Sequence, residues 1–146
     1  MAKRDRIATL QRLASHTEAA NARQLAERLR ALDAEERRLQ QIRGYLAEYS
    51  VGNSQPKAQT IGSLRSSRGF LERLRGAVDE QRGAVETQRQ LVDEQTLQWR
   101  AARARTRSLE KLGEHLGEQD REIRDRREQN RLDEIANVRS RPTGKV

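Results

Sequence analysis

LRSSRGFLERLRGAVDEQRGAVETQRQLVDEQTLQWRAARARTRSLEKLGEHLGEQDREI, residues Leu64 to Ile123, decides the fold. Steps of three and four residues through it land on Leu64, Leu71, Leu74, Val78, Val85, Val92, Trp99, Ala102, Leu109, Leu116 and Ile123. Apolar residues at that alternation line one narrow seam of an α-helix, which is the pattern of a coiled coil. With Leu71 as an a position of the heptad abcdefg, the d series reads Leu74, Gln81, Gln88, Gln95, Ala102, Leu109, Leu116 and Ile123. The seam is therefore polar in its middle and apolar at its ends.

Upstream, Leu25, Leu32, Leu39 and Leu46 recur every seven residues, with Ile7, Ala14, Ile42 and Tyr49 at the matching d positions and Leu29 widening the stripe. Between the tracts lies SVGNSQPKAQT, Ser50 to Thr60, rich in residues that end helices and make turns. The chain thus reads as all-α, a long antiparallel two-helix coiled-coil hairpin occupying 1–146 as one unit. Its expected parts are a helix near 4–50, a turn near 51–60, a helix near 61–138 and a flexible tail at 139–146. Helix rise makes the first arm roughly 70 Å and the second roughly 115 Å.

Composition supports this reading. Apolar residues make up 34% and aromatic residues 3% of the 146, too few to fill a compact core, while 36% are charged, as suits exposed helix faces laced with ion pairs. Regular spacing of the aliphatic residues argues against disorder. The absence of cysteine excludes a disulfide framework and thiolate chemistry and fits a reducing cytosol. No apolar run is long enough to span a bilayer, and MAKRDRIATL at the start lacks the apolar stretch of a signal peptide, so a soluble or at most peripheral chain is expected.

A turn centred near Pro56 makes the numbers of facing residues sum to roughly 113. That rule places Leu39 against Leu74, Ile42 against Leu71, Tyr49 against Leu64, Leu32 against Gln81, Leu25 against Gln88 and Ala14 against Trp99. It exhausts the first helix by about Leu109, leaving Leu112, Leu116, Ile123, Ile135 and Val138 on an overhang that Gly113 and Gly117 weaken. Gly69, Gly76 and Gly83 recur every seven residues at an outward position, and nothing in the sequence accounts for them.

Two features could carry function. Lys3, Arg4, Arg6 and Arg12 on the first arm and Arg100, Arg103, Arg105 and Arg107 on the second form a basic collar, read either as a solvated face or as a dock for an acidic protein surface or phosphate. Nucleic acid is not the expected partner, because acidic residues interleave with the bases and only Trp99, itself in the seam, lies beside the collar's arginines. At the other end Tyr45 and Phe70 hold g positions. The g flanks of an antiparallel pair face one another, which gathers Tyr45, Phe70 and Ala77 near the tip as a contact surface or as a cover for the seam's edge.

No catalytic constellation is present. His16 and His115 have no companion carboxylates at the spacing of a metal or proton-transfer site, and there is no glycine-rich phosphate loop or serine elbow. A two-helix coil also offers no pocket from which to exclude water, so a non-enzymatic protein without catalytic residues, cofactor or metal is expected. The GxxxG spacing of Gly113 and Gly117 lies among charges, which removes a membrane-dimerisation reading.

The pieces ATLQRLA at Ala8 to Ala14, Ala22 with Arg23, GYLAEY at Gly44 to Tyr49, FLERL at Phe70 to Leu74 and NRLDE at Asn130 to Glu134 resemble, in order and spacing, the flagellar type III export protein FliJ family over nearly the whole chain. The resemblance implies a cytoplasmic coiled-coil stalk of the hexameric flagellar export ATPase, held at the inner membrane through the export apparatus without inserting in it. It implies contacts with the export gate membrane protein and with export chaperones, and so a place in flagellum biogenesis, motility and chemotaxis. Carried over by position, the gate-binding surface is Ile42, Tyr45, Tyr49, Phe70, Leu74, Ala77 and Gln81, with Arg38 and Gln81 differing from the family's side chains. The ring contact would then comprise the eight collar bases with Leu112, Leu116 and Ile123. An equivalent stalk of a virulence type III secretion system, a basic nucleic-acid-binding coil and a self-assembling structural coil are the other readings.

Overall fold

Residues 2–54 and 61–140 are described in the computed structural model, with side chains left out at 52–54 and 61. Every described residue is helical, in α1 (Ala2–Ser54) and α2 (Ile61–Ser140). The fold is the helical hairpin that the heptads predict. α1 carries on through Gly52 and Asn53, whose helix propensities cost only about 1 kcal/mol or less each and do not stop it. Residues 55–60, with Pro56 and the rest of the expected turn, lie outside the described residues, as do 141–146 of the expected tail.

Contacts group the chain into two units: unit 1 holds Met1–Thr17 with Ala102–Val146, and unit 2 holds Glu18–Ala101. In unit 2 the core is Leu39, Val78 and Val85, with Leu32, Ile42 and Leu46 half-buried around it. Polar residues continue the seam. Gln81 is buried, and its amide nitrogen donates to the Glu35 main-chain carbonyl at 3.0 Å and to the Glu35 carboxylate. Buried Gln95 likewise donates to Asn21 Oδ1 at 3.0 Å and to the Asn21 carbonyl at 3.4 Å. Arg89 reaches Glu36 at 3.6 Å on the exposed flank, a contact of the kind worth about 0.2–1 kcal/mol.

These pairs correct the expected register. Gln81 meets Glu35 rather than Leu32, Leu39 clusters with Val78 and Val85 rather than Leu74, and Tyr49 stacks on Phe70 rather than facing Leu64. Tyr49 and Phe70 sum to 119, against the expected 113, a displacement close to one heptad. The cause is that a seven-residue slip leaves every a and d residue on the seam, so apolar spacing does not tell the two registers apart.

In unit 1, Ala14 and Thr106 are buried, and the Thr106 hydroxyl donates to the Ala102 carbonyl one turn back. Gln11 donates across the seam to the Leu109 carbonyl at 2.9 Å, and Arg4 pairs with Asp120 at 3.2 Å. Pairing therefore reaches Asp120, not Leu109, so Leu112 and Leu116 belong to the paired part. Beyond it, every residue of Arg121–Ser140 is exposed.

The outward glycines of unit 2 have open space around them. A Cβ built on Gly76 or Gly83 meets nothing within 4 Å, so packing in the hairpin does not require them. Gly76→Ala and Gly83→Ala are each expected to stabilise the helix by about 1 kcal/mol, raising the thermal midpoint followed by circular dichroism. A lowered midpoint would show that the glycines serve the fold in a way this geometry lacks.

Candidate docking surfaces

Unit 2 gathers three aromatic rings. The seam brings Tyr49 and Phe70 together, ring centres 4.6 Å apart and planes at 64°, an edge-to-face pair worth about 0.5–1.5 kcal/mol beyond its burial. The pair leaves Phe70 43% exposed, and Tyr45, one turn before Tyr49 on α1, is 62% exposed. Ile42, Leu74 and Ala77 are half-buried, whereas Gln81 is 8% exposed with its amide committed to Glu35. Six of the seven positions carried over for the gate thus keep surface to offer, and Gln81 acts within the seam. The ring pair itself was missed from sequence because it depends on the corrected register.

A second notch in unit 2, about 1040 Å³ and open, has core residues Leu39 and Val85 at its floor. Its rim mixes Arg37, Arg43, Arg82 and Arg89 with Asp33, Glu36 and Glu86, so it favours neither sign of charge. Arg100, the collar base that falls in unit 2, is exposed.

Unit 1 holds the other collar bases. Lys3, Arg4, Arg6, Arg12, Arg103, Arg105 and Arg107 are all exposed, Arg4 being tied to Asp120. An open notch of about 540 Å³ is lined by Arg4, Asp5, Asp120, Ile123, Arg124 and Arg127. Arg124 and Arg127 extend the basic surface beyond the residues expected from sequence. The charge pattern of α2 could have found them had α1 been placed seven residues further along it. Leu10, Leu13, Ala14, Thr17, Ala102 and Arg105 line a smaller groove of about 320 Å³. Leu112 and Ile123 are largely exposed, and Leu116 is half-buried.

Among the described residues no group of three His, Cys, Asp or Glu could hold a metal ion, and His115 contacts Gln119 of its own helix at 3.2 Å. No described helix is long and apolar enough to cross a membrane. A family model described as the flagellar FliJ protein matches residues 3–145. The chain belongs to the FliJ family. No curated protein and no solved structure matches it. FliJ-family membership makes the chain a component of the flagellar export apparatus, in a family whose role there is non-enzymatic.

Gly113 and Gly117 have a structural role in this FliJ-family chain that corrects their reading as weak points of an overhang. They lie on the face of α2 that α1 covers. A Cβ on Gly113 would overlap the Gln11 amide nitrogen and lie 3.7 Å from Ile7 Cγ2, and one on Gly117 would lie 3.7 Å from the Arg4 guanidinium. The missing side chain at Gly113 is what lets Gln11 reach the Leu109 carbonyl. Gly113→Leu should therefore force the helices of unit 1 apart, at about 1–3 kcal/mol of overpacking. Faster amide hydrogen exchange over residues 4–14 would report the separation, and exchange unchanged from the parent would rule out the close approach.

Proposed function

We propose that this chain is a coiled-coil stalk that promotes assembly and activity of the hexameric flagellar export ATPase and contacts the export gate and export chaperones. The observation that carries the reading is the division of docking features between the units. Unit 1 offers exposed bases, with the notch of Arg4, Arg124 and Arg127, and an α2 segment, Arg121–Ser140, that is exposed at every residue. Unit 2 offers the exposed rings of Tyr45 and Phe70.

Each feature fits the partner assigned to it. A ring of identical subunits presents one surface several times around its bore, and a helix exposed on all sides can meet such a surface without a preferred azimuth. Arginines along that helix would supply bidentate donors to any acidic side chains such a surface carries. A half-exposed aromatic pair with a third ring one turn away has the composition of an interface anchor, since rings bury a large area with little rotamer entropy to lose. The expected attachment is peripheral, through the gate, at the inner membrane.

The ring contact is tested by the hydrolysis rate of the purified export ATPase with and without the chain. Stimulated turnover is expected, and Arg4→Glu with Arg124→Glu and Arg127→Glu should abolish it; no stimulation at any stoichiometry would end the stalk reading. For the gate, Tyr45→Ala with Phe70→Ala should weaken binding to the gate's cytosolic part by roughly 10-fold or more with helicity unchanged. Equal affinity of parent and variant would remove the aromatic assignment.

A further inference from the structure

The seam of unit 2 repeats one device at two places and interrupts it between them. Gln81 donates to Glu35 and Gln95 to Asn21, each reaching both a main-chain carbonyl and a side-chain oxygen of α1. The donors are fourteen residues apart on α2 and the acceptors fourteen apart on α1, two heptads in each case. Midway on α2 stands Gln88, and midway on α1 stands Arg28. Arginine has donors only and supplies no side-chain oxygen for an amide nitrogen. Arg28 is exposed, and Gln88 Oε1 is buried with no hydrogen-bond partner.

The neighbouring register, one heptad away, changes who meets whom without moving any residue off the seam. Gln88 would gain Asn21, Gln81 would lose Glu35 for Arg28, and Ile42 would pass from Val78 to Leu71. Apolar contacts would be exchanged for apolar contacts, because both sets occupy a and d positions. What holds the observed register is therefore the set of directional contacts: the polar ones, in which two amides of three are matched, and the Tyr49–Phe70 ring pair.

We propose that Gln81, Gln88 and Gln95 form a register lock with one unlatched rung, and that the helices of unit 2 exchange between two registers one heptad apart. The observed register dominates because Glu35 and Asn21 latch the outer rungs. The unlatched middle rung keeps the neighbouring register within reach. This is a sliding element set by residues of this chain, and it stands apart from the export reading. Polar seam residues elsewhere specify register in the same physical way, by making the wrong alignment leave a buried group unmatched.

The chain has no cysteine, so engineered pairs report cleanly. Ile42→Cys with Val78→Cys reads the observed register, Ile42→Cys with Leu71→Cys reads its neighbour, and Ile42→Cys with Arg75→Cys is an off-seam control. Under a thiol–disulfide redox buffer the first pair should dominate, and the second should cross-link above the control. Gln81→Leu with Gln95→Leu should raise the second pair's yield several-fold. Gln88→Leu, which removes the amide that the neighbouring register would latch on Asn21, should lower it to the control, with circular dichroism confirming that each variant is helical. A second pair no better than the control in all backgrounds would overturn the exchange, and a yield indifferent to Gln88→Leu would overturn the role of the unlatched rung.

Discussion

An amide that crosses the seam to a main-chain carbonyl of the opposite helix is the interaction on which the remaining structure depends. It occurs at Gln81 to Glu35, at Gln95 to Asn21 and at Gln11 to Leu109. A helical carbonyl has a second lone pair, so accepting this bond does not require it to give up its own i→i−4 partner. The contact is directional where hydrophobic burial is not, and in a seam with few fully enclosed side chains it decides which turn of one helix lies beside which turn of the other. The ring pair in unit 2 and the extent of pairing in unit 1 both follow from that alignment.

The heptads made the fold class and the seam legible, because a period of 3.5 survives any alignment of the two strands. Alignment itself was not legible. The turn residues at Ser50 to Thr60 pointed to Pro56 as the centre, yet α1 carries on to Ser54, and the aliphatic pattern accepts either register. Gln81 shows what was lost: it was set against Leu32 and counted among surface residues, and the structure buries it on Glu35. Gly113 shows the converse, since a glycine at an a position looked like a defect until Gln11 and Ile7 were found lying over it.

The candidate surfaces divide the same way. Tyr45 and Phe70 could be assigned to one flank from heptad position alone, because both sit beside the seam whichever register holds. Arg124 and Arg127 could not be joined to Arg4 without knowing how far α1 runs along α2. The outward glycines are explained by neither sequence nor packing. The space around Gly76 and Gly83 shows only that the hairpin makes no demand for them.

Arg121–Ser140 has a thermodynamic consequence of its own. An isolated helix of this length is marginal in water because its first turn is costly to nucleate. Here the nucleus already exists in the paired part of α2, and each further residue adds only a propagation step, helped by Arg and Glu or Asp placed four apart, as at Arg121 and Asp125 or Glu122 and Arg126. The segment is thus ordered without being buried. A protein that closes around it would surrender little conformational entropy in doing so, and could let go again without having to unfold anything.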